Sequence, residues 1–276
     1  MPATSMPSES SGAPKSGFLE TLRRAILTLE GTHPNLGDVA SFLPFGVAGI
    51  DEALGGGLPR AALHEIAAAN EADMAAATGF ALVLAAHCAQ SRAVLWIAED
   101  MARLESGVPY GPGLDEIGLA PERLLTVTAA RPREVLGAME EALRCPAIGA
   151  VIGEIRKDNA LDDVANRRLS LAAARQDTLG LLLRPQPDGR STAATTRWTV
   201  GAAPSISPSL ERRGDGWRHG TGPPAFDVRL VRNRYGRLGS WVLEWNCAEH
   251  RFERASAHSL PVAPAAVDRP DQAAVA

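Results

Sequence analysis

The hydrophobic positions of this chain fall into short continuous runs separated by longer stretches of helical period. Leu63-His64-Glu65-Ile66, Ala93 to Ile97, Leu124 to Val127, Ala150 to Ile152 and Leu179 to Leu183 read as buried strands. Between them, Ala75 to Ala89, Pro132 to Cys145 and Leu161 to Gln176 read as helices. The first is apolar and alanine-rich, and the second carries Pro near its first turn. A loop rich in Gly and Pro from Gly107 to Gly113, then a short helix at Leu114 to Gly118, follow the acidic pair Glu99-Asp100. Strands alternating with helices of this length predict an α/β fold, a mostly parallel sheet with right-handed crossovers and helices on its faces.

From Thr195 the texture changes. Trp198 to Val200, Asp227 to Val231 and Ser240 to Trp245 alternate, which predicts antiparallel strands extending one end of the sheet. Residues 201–224 form a long loop rich in Pro, Gly and Ser, expected to be flexible. Residues 1–16 and 255–276 have the composition of disordered ends. Phe18 to Glu30 places Leu19, Leu22, Ile26 and Leu29 on one helical stripe, so residues 17–32 are expected to be a short helix that must pack on something. Its own domain, residues 41–254, and a neighbouring subunit are the two candidates. Gly31 to Ser41 links the helix to that domain.

Charge narrows the choice of partners. The net charge is only −4, so no global attraction to nucleic acid follows. Yet Arg184 to Ser240 holds ten arginines against four acids. Cys88, Cys145 and Cys247 are isolated and lack metal-ligand spacing, which fits a reducing compartment. The start Met1-Pro2-Ala3-Thr4 has no basic, apolar leader, and no apolar run approaches the length of a membrane span. A cytoplasmic protein without membrane contact is expected.

One motif begins and does not finish. Gly46 to Ile66 contains Gly55-Gly56-Gly57 and then the short apolar strand, the lead-in to a phosphate loop. A phosphate loop next needs G-x-x-x-x-G-K-[ST]: glycines to curl N–H groups round the phosphates, a lysine for charge, a hydroxyl for Mg²⁺. Here those positions hold Ala68, Asp73, Met74 and Ala75. An acid replaces a glycine and no cation remains. Phosphoryl transfer rests on positioning and charge stabilisation, so this pocket is expected to be degenerate, with no catalysis, no cofactor and no metal. Glu154 ends an apolar strand where such proteins carry a Mg²⁺-binding carboxylate, and a relic or structural role is expected for it.

The positive feature is Val228 to Arg237. Alternation puts Arg232 and Arg234 on the face of Leu230, and Arg229 and Arg237 add charge nearby. Guanidinium forks suit phosphates or carboxylates, and Tyr235 and Trp241 offer stacking surfaces. A charged, solvated sheet edge is the alternative.

The pre-loop signature, the Glu154 strand and Arg232-Asn233-Arg234 occur in the order found in RecA-like proteins, and together they resemble that core from Gly46 to Trp245. Arg232-Asn233-Arg234 is similar to the K-N-K segment by which RecA reaches a neighbour's nucleotide. Leu43-Pro44-Phe45-Gly46, Leu63-His64-Glu65-Ile66, Met139 to Pro146 and Gly239 to Trp245 resemble the alphaproteobacterial branch of the ImuA family, degenerate RecA/SulA-like proteins of damage-inducible mutagenesis cassettes.

The resemblance implies a RecA-like fold and an SOS-response role as a non-catalytic accessory protein. Its implied partners are an ImuB-type polymerase-like protein and an error-prone C-family polymerase that copies past lesions. The alternatives are an ATP-binding switch or a SulA-like division inhibitor. The DNA-binding loops of RecA are cut back here to Arg156-Lys157-Asp158-Asn159 and to Pro185 to Ala194. Arg156, Lys157, Arg184 and Arg190 are left as phosphate contacts.

Overall fold

The computed structural model describes residues 42–156, 162–187, 189–205 and 222–255. The expected N-terminal helix, Lys157, most of the 201–224 loop and the tail beyond Ala255 lie outside the described residues. Phe42–Leu43 (β1) pairs with Leu58–Pro59 (β2) across the helix Ala48–Leu54 (α1). Leu63–Ala68 (β3) leads through a short 3₁₀ turn into Met74–Ala89 (α2). Then come Ala93–Glu99 (β4), Asp100–Ser106 (α3), Gly111–Glu116 (α4), Leu124–Ala129 (β5) and Pro132–Leu143 (α5). Ile148–Glu154 (β6), Asp163–Ala173 (α6), Leu179–Arg184 (β7) and Thr196–Ala202 (β8) follow. Ala225–Asn233 (β9), Gly239–Asn246 (β10) and Arg251–Arg254 (β11) close the described chain.

Nine of these strands form one sheet in the order β11-β10-β9-β8-β3-β7-β6-β4-β5. All pairs from β8 to β5 are parallel, and all from β8 to β11 are antiparallel. The expected mixed sheet is therefore present, with two refinements. The strand at Trp198 runs parallel to β3 and serves as the border of the parallel part, and β11 adds a strand that the short Arg251-Phe252-Glu253-Arg254 pattern did not announce. The helix α3 also occupies residues between Glu99 and Gly107 where no element was expected, and the next helix begins at Gly111 rather than Leu114.

The two sheet faces are covered differently. On one, α2 packs its all-apolar surface over Ile66, Ile152, Leu181 and Trp198. Phe80 of α2 lies 6.0 Å from Trp198 and 5.7 Å from Phe226, so the C-terminal strands share this core. Glu71–Ala89 is long and apolar enough to cross a membrane by composition, contrary to the expectation that no run comes near that length, but most of it is buried against the sheet. On the other face, α5 presents Val135, Leu136, Met139 and Leu143, and α6 presents Leu169 and Ala172. Helix α5 starts cleanly because Pro132 sits in its first turn and the Glu134 carboxylate accepts from the Arg131 N–H at 3.2 Å.

The pre-loop signature proves to be an architectural device. Gly55, Gly56 and Gly57 all have positive φ, and a Cβ on Gly57 would lie 2.6 Å from the Leu43 carbonyl oxygen. Only glycines let α1 end and β2 return under β1 in three residues. Asp51 holds the other side of the same turn, its carboxylate accepting from the N–H groups of Phe45 at 2.8 Å and Gly46 at 3.0 Å.

Candidate functional site

At the carboxyl end of β3 the chain does not curl as a phosphate loop would. The Ala69 N–H donates to the Val200 carbonyl at 2.8 Å, so the backbone keeps to β8. Asn70 accepts from the Ala72 N–H at 2.9 Å and donates to Asp73. Asp73 in turn accepts the backbone N–H of Ala202 at 2.9 Å. The residue at the second glycine position therefore fastens the loop to the neighbouring strand. Met74 turns into the core at 6% exposure, Ala68 is fully buried, and Ala75 presents only a methyl group. No group of three or more His, Cys, Asp or Glu placed to hold a metal ion occurs among the described residues.

Beside this loop, the ends of β4 and β6 bring two buried acids together with one arginine. Arg156 Nη2 stands 3.0 Å from Glu154 Oε1, an ion pair without the alignment of a hydrogen bond. The backbone N–H of Arg156 donates to Glu99 Oε1 at 2.7 Å, and its guanidinium also meets Ser106. Burial pushes the Glu154 carboxyl above its usual range, and Arg156 opposes that shift. Asp100, by contrast, is exposed in the first turn of α3. Arg156, one of the expected phosphate contacts, is thus engaged by the chain's own carboxylates.

A third cluster was not legible in the sequence. Glu65, on β3, is 2% exposed and faces Arg197 of β8, whose Nε lies 2.5 Å from the carboxylate. Thr192 donates to Glu65 and contacts Asn166 Oδ1 at 3.2 Å. Arg197 Nη2 donates to the Arg190 carbonyl at 3.0 Å. These bonds fold the segment before β8, the cut-back Pro185 to Ala194 stretch, onto the sheet. Arg184 belongs to the same polar cavity with Arg190, and at 2% exposure it is not a surface residue.

The Arg-Asn-Arg segment lies at the opposite end of the sheet. Because β9 runs antiparallel to β8, Phe226 stands beside Ala202 while Asn233 stands beside Thr196. Seven strand residues, roughly 20 Å, separate the turn from Asp73. The alternation holds through Val228, Leu230 and Arg232 and stops at Asn233, the last residue of β9. Arg234 is exposed, past the strand end, with its guanidinium carbon 5.5 Å from the Tyr235 ring centroid. Arg232 sits opposite Arg197 and is half-buried, so the two arginines do not project as one pair from a strand face.

The turn is built on α1. Asn233 donates to the carbonyls of Ala53 at 2.9 Å and Arg237 at 3.2 Å, and accepts from the Tyr235 N–H. A Cβ on Gly236 would lie 2.0 Å from the Ala53 oxygen. Asn233 and Gly236 are structural residues that a search for cations overlooked, though the spacing N-x-x-G is a turn signal. Trp241 packs against Gly49 of α1 and lies 6.4 Å from Trp198, so its ring belongs to the core margin rather than to an open stacking platform. Arg229 pairs with Asp227 at 3.1 Å, and Arg237 is exposed.

No protein-family model matches the chain. Two curated relatives do, Protein ImuA from Caulobacter vibrioides strain NA1000 and from strain ATCC 19089. Each is 32% identical over 223 residues, covering 75% of this chain and 85% of the relative. The chain belongs to the ImuA family. Among solved structures, the crystal structure of the RadB recombinase is similar with a TM-score of 0.49 and 15% identity, over 78% of this chain and 100% of that one. The mixed sheet, its helices on both faces and the antiparallel C-terminal end are those the sequence predicts. Every segment quoted for the family in the sequence takes a structural part. Leu43-Pro44-Phe45-Gly46 leads into α1, His64 and Glu65 are buried on β3, and Met139 anchors α5.

Proposed function

We propose that this ImuA-family protein is a non-catalytic accessory factor of damage-induced, error-prone translesion DNA synthesis, acting in the cytoplasm as an adaptor. Its partners in this reading are an ImuB-type polymerase-like protein and an error-prone C-family polymerase. The observation that carries the reading is the bond from Ala202 to Asp73. A carboxylate stands where a polyphosphate would need a glycine, and it is used to tie the loop shut. With no lysine or hydroxyl beside it, the fold is left to act by binding.

The parallel edge of the sheet supports an adaptor role. The strand β5 has no neighbour on one side among the described residues, and Leu125 and Val127 on it are 50% and 41% exposed. Met101, Leu104, Val108 and Tyr110, on α3 and the following loop, are exposed as well. A sheet edge with that much exposed apolar surface suits a protein partner better than solvent. The direct test is co-purification of this chain with a recombinant ImuB-type protein. A stable complex, weakened by Leu104→Glu or Val127→Lys, is expected. Failure to associate at micromolar concentrations of both proteins overturns the adaptor reading.

A further inference from the structure

We propose that the amphipathic segment Phe18 to Glu30 of this same chain seats in the groove beside the Arg-Asn-Arg turn and covers it. The groove lies at the amino ends of β3 and β8, between α1 and α6, and holds about 120 Å³. Its walls are apolar: Leu54 and Pro59 on one side, Leu171 and Ala174 of α6 on the other. Leu171, near the C-terminal end of α6, is 50% exposed. Tyr235 and Arg234 form the rim.

The place where the chain enters identifies the occupant. Phe42, the first described residue, is itself part of the groove wall, so the preceding 41 residues arrive there. That stretch contains an apolar stripe, Leu19, Leu22, Ile26 and Leu29, flanked by Glu20, Arg23, Arg24 and Glu30 with no net charge. A helix over this stretch is about 20 Å long. The link Gly31 to Ser41 spans up to about 35 Å extended, enough to turn back and lay the stripe along the groove. Tethering through so short a link sets an effective concentration on the order of millimolar, which favours the chain's own segment over that of another copy.

Hydrogen exchange on the full chain at low micromolar concentration tests this, comparing the natural protein with the double variant Leu22→Glu, Ile26→Glu. The variant changes lie outside the described residues, and circular dichroism checks that the core is intact. Amides of residues 171–174 and 234–237 are expected to exchange at least about tenfold faster in the variant, with both proteins monomeric by light scattering. Leu171→Glu, altered from the groove side, is expected to reproduce the effect. Equal exchange in the natural protein and both variants overturns the proposal. Protection that appears only with dimerisation as concentration rises assigns the groove to a second copy and overturns it as well.

Discussion

Asp73 accepts the backbone N–H of Ala202 at 2.9 Å, joining the aborted phosphate loop to the border strand β8. The contact has an energetic consequence as well as a functional one. Asp73→Ala removes a charge-assisted bond to a backbone group, a loss of about 1.5 kcal/mol, or a fall of ~3–6 °C in Tm for a domain of this size. In an ATP-binding loop the same change would remove an acid from the phosphate site and raise affinity. Thermal melts with and without ATP separate the two, and only the loss of stability is expected.

Below neutral pH, His64 is expected to weaken the fold. It is fully buried in a chain of bonds: Trp198 donates to Thr196 Oγ1 at 2.7 Å, Thr196 lies 2.7 Å from His64 Nδ1, and His64 Nε2 lies 2.8 Å from the Pro59 carbonyl. The carbonyl can only accept, which assigns the proton to Nε2. Burial lowers the ring's pKa from 6.5 to about 4. The unfolded chain therefore takes up a proton that the fold refuses, and stability is lost as pH falls from 6.5 towards 4. One proton over that interval amounts to about 3 kcal/mol. Urea midpoints at pH 7 and pH 4.5 check it: His64→Gln is expected to be less stable at pH 7 but to lose less on acidification than the natural protein.

Glu65 and Arg197 are expected to be strongly coupled. Each is nearly buried, and removing one leaves the other charged in the core, a cost of about 3–5 kcal/mol. Glu65→Leu with Arg197→Met together should cost much less than the sum of the single changes. A double-mutant cycle by denaturant unfolding reads the coupling directly, and additive losses would contradict it.

The Arg-Asn-Arg turn allows geometry and charge to be pulled apart. Gly236→Ala places a methyl against the Ala53 carbonyl and is expected to destabilise the protein by about 2 kcal/mol or more. Arg234→Ala, at an exposed position, is expected to leave Tm nearly unchanged while weakening any anionic partner. If Gly236→Ala melts like the natural protein, the packing of this turn on α1 is not as described.

Much of the fold was legible because periodicity reports burial. Short continuous runs such as Ala150-Val151-Ile152, alternating with helical stretches, fit a parallel sheet, and the mostly apolar, alanine-rich Ala75 to Ala89 fits a helix packed on it. The direction of β8 was not legible, since alternation around Trp198 gives no information on which neighbour it pairs. The site divided in the same way. Missing chemistry at Ala68, Asp73, Met74 and Ala75 could be read residue by residue. The use made of Asp73, and the withdrawal of Arg156 and Arg184 into buried clusters, depend on partners 57 to 129 residues away in cases such as Arg156 with Glu99 and Ala202 with Asp73. No local pattern encodes contacts of that separation.

The central claim is that this α/β core does not receive a nucleotide. Titration calorimetry of the purified protein with ATP and Mg²⁺, run beside a phosphate-release assay, tests it most directly. The account predicts neither saturable heat nor turnover at millimolar ATP. Saturable binding that disappears on Glu154→Gln would contradict it, and would show that the loop between Ala68 and Ala75 opens to admit the phosphates.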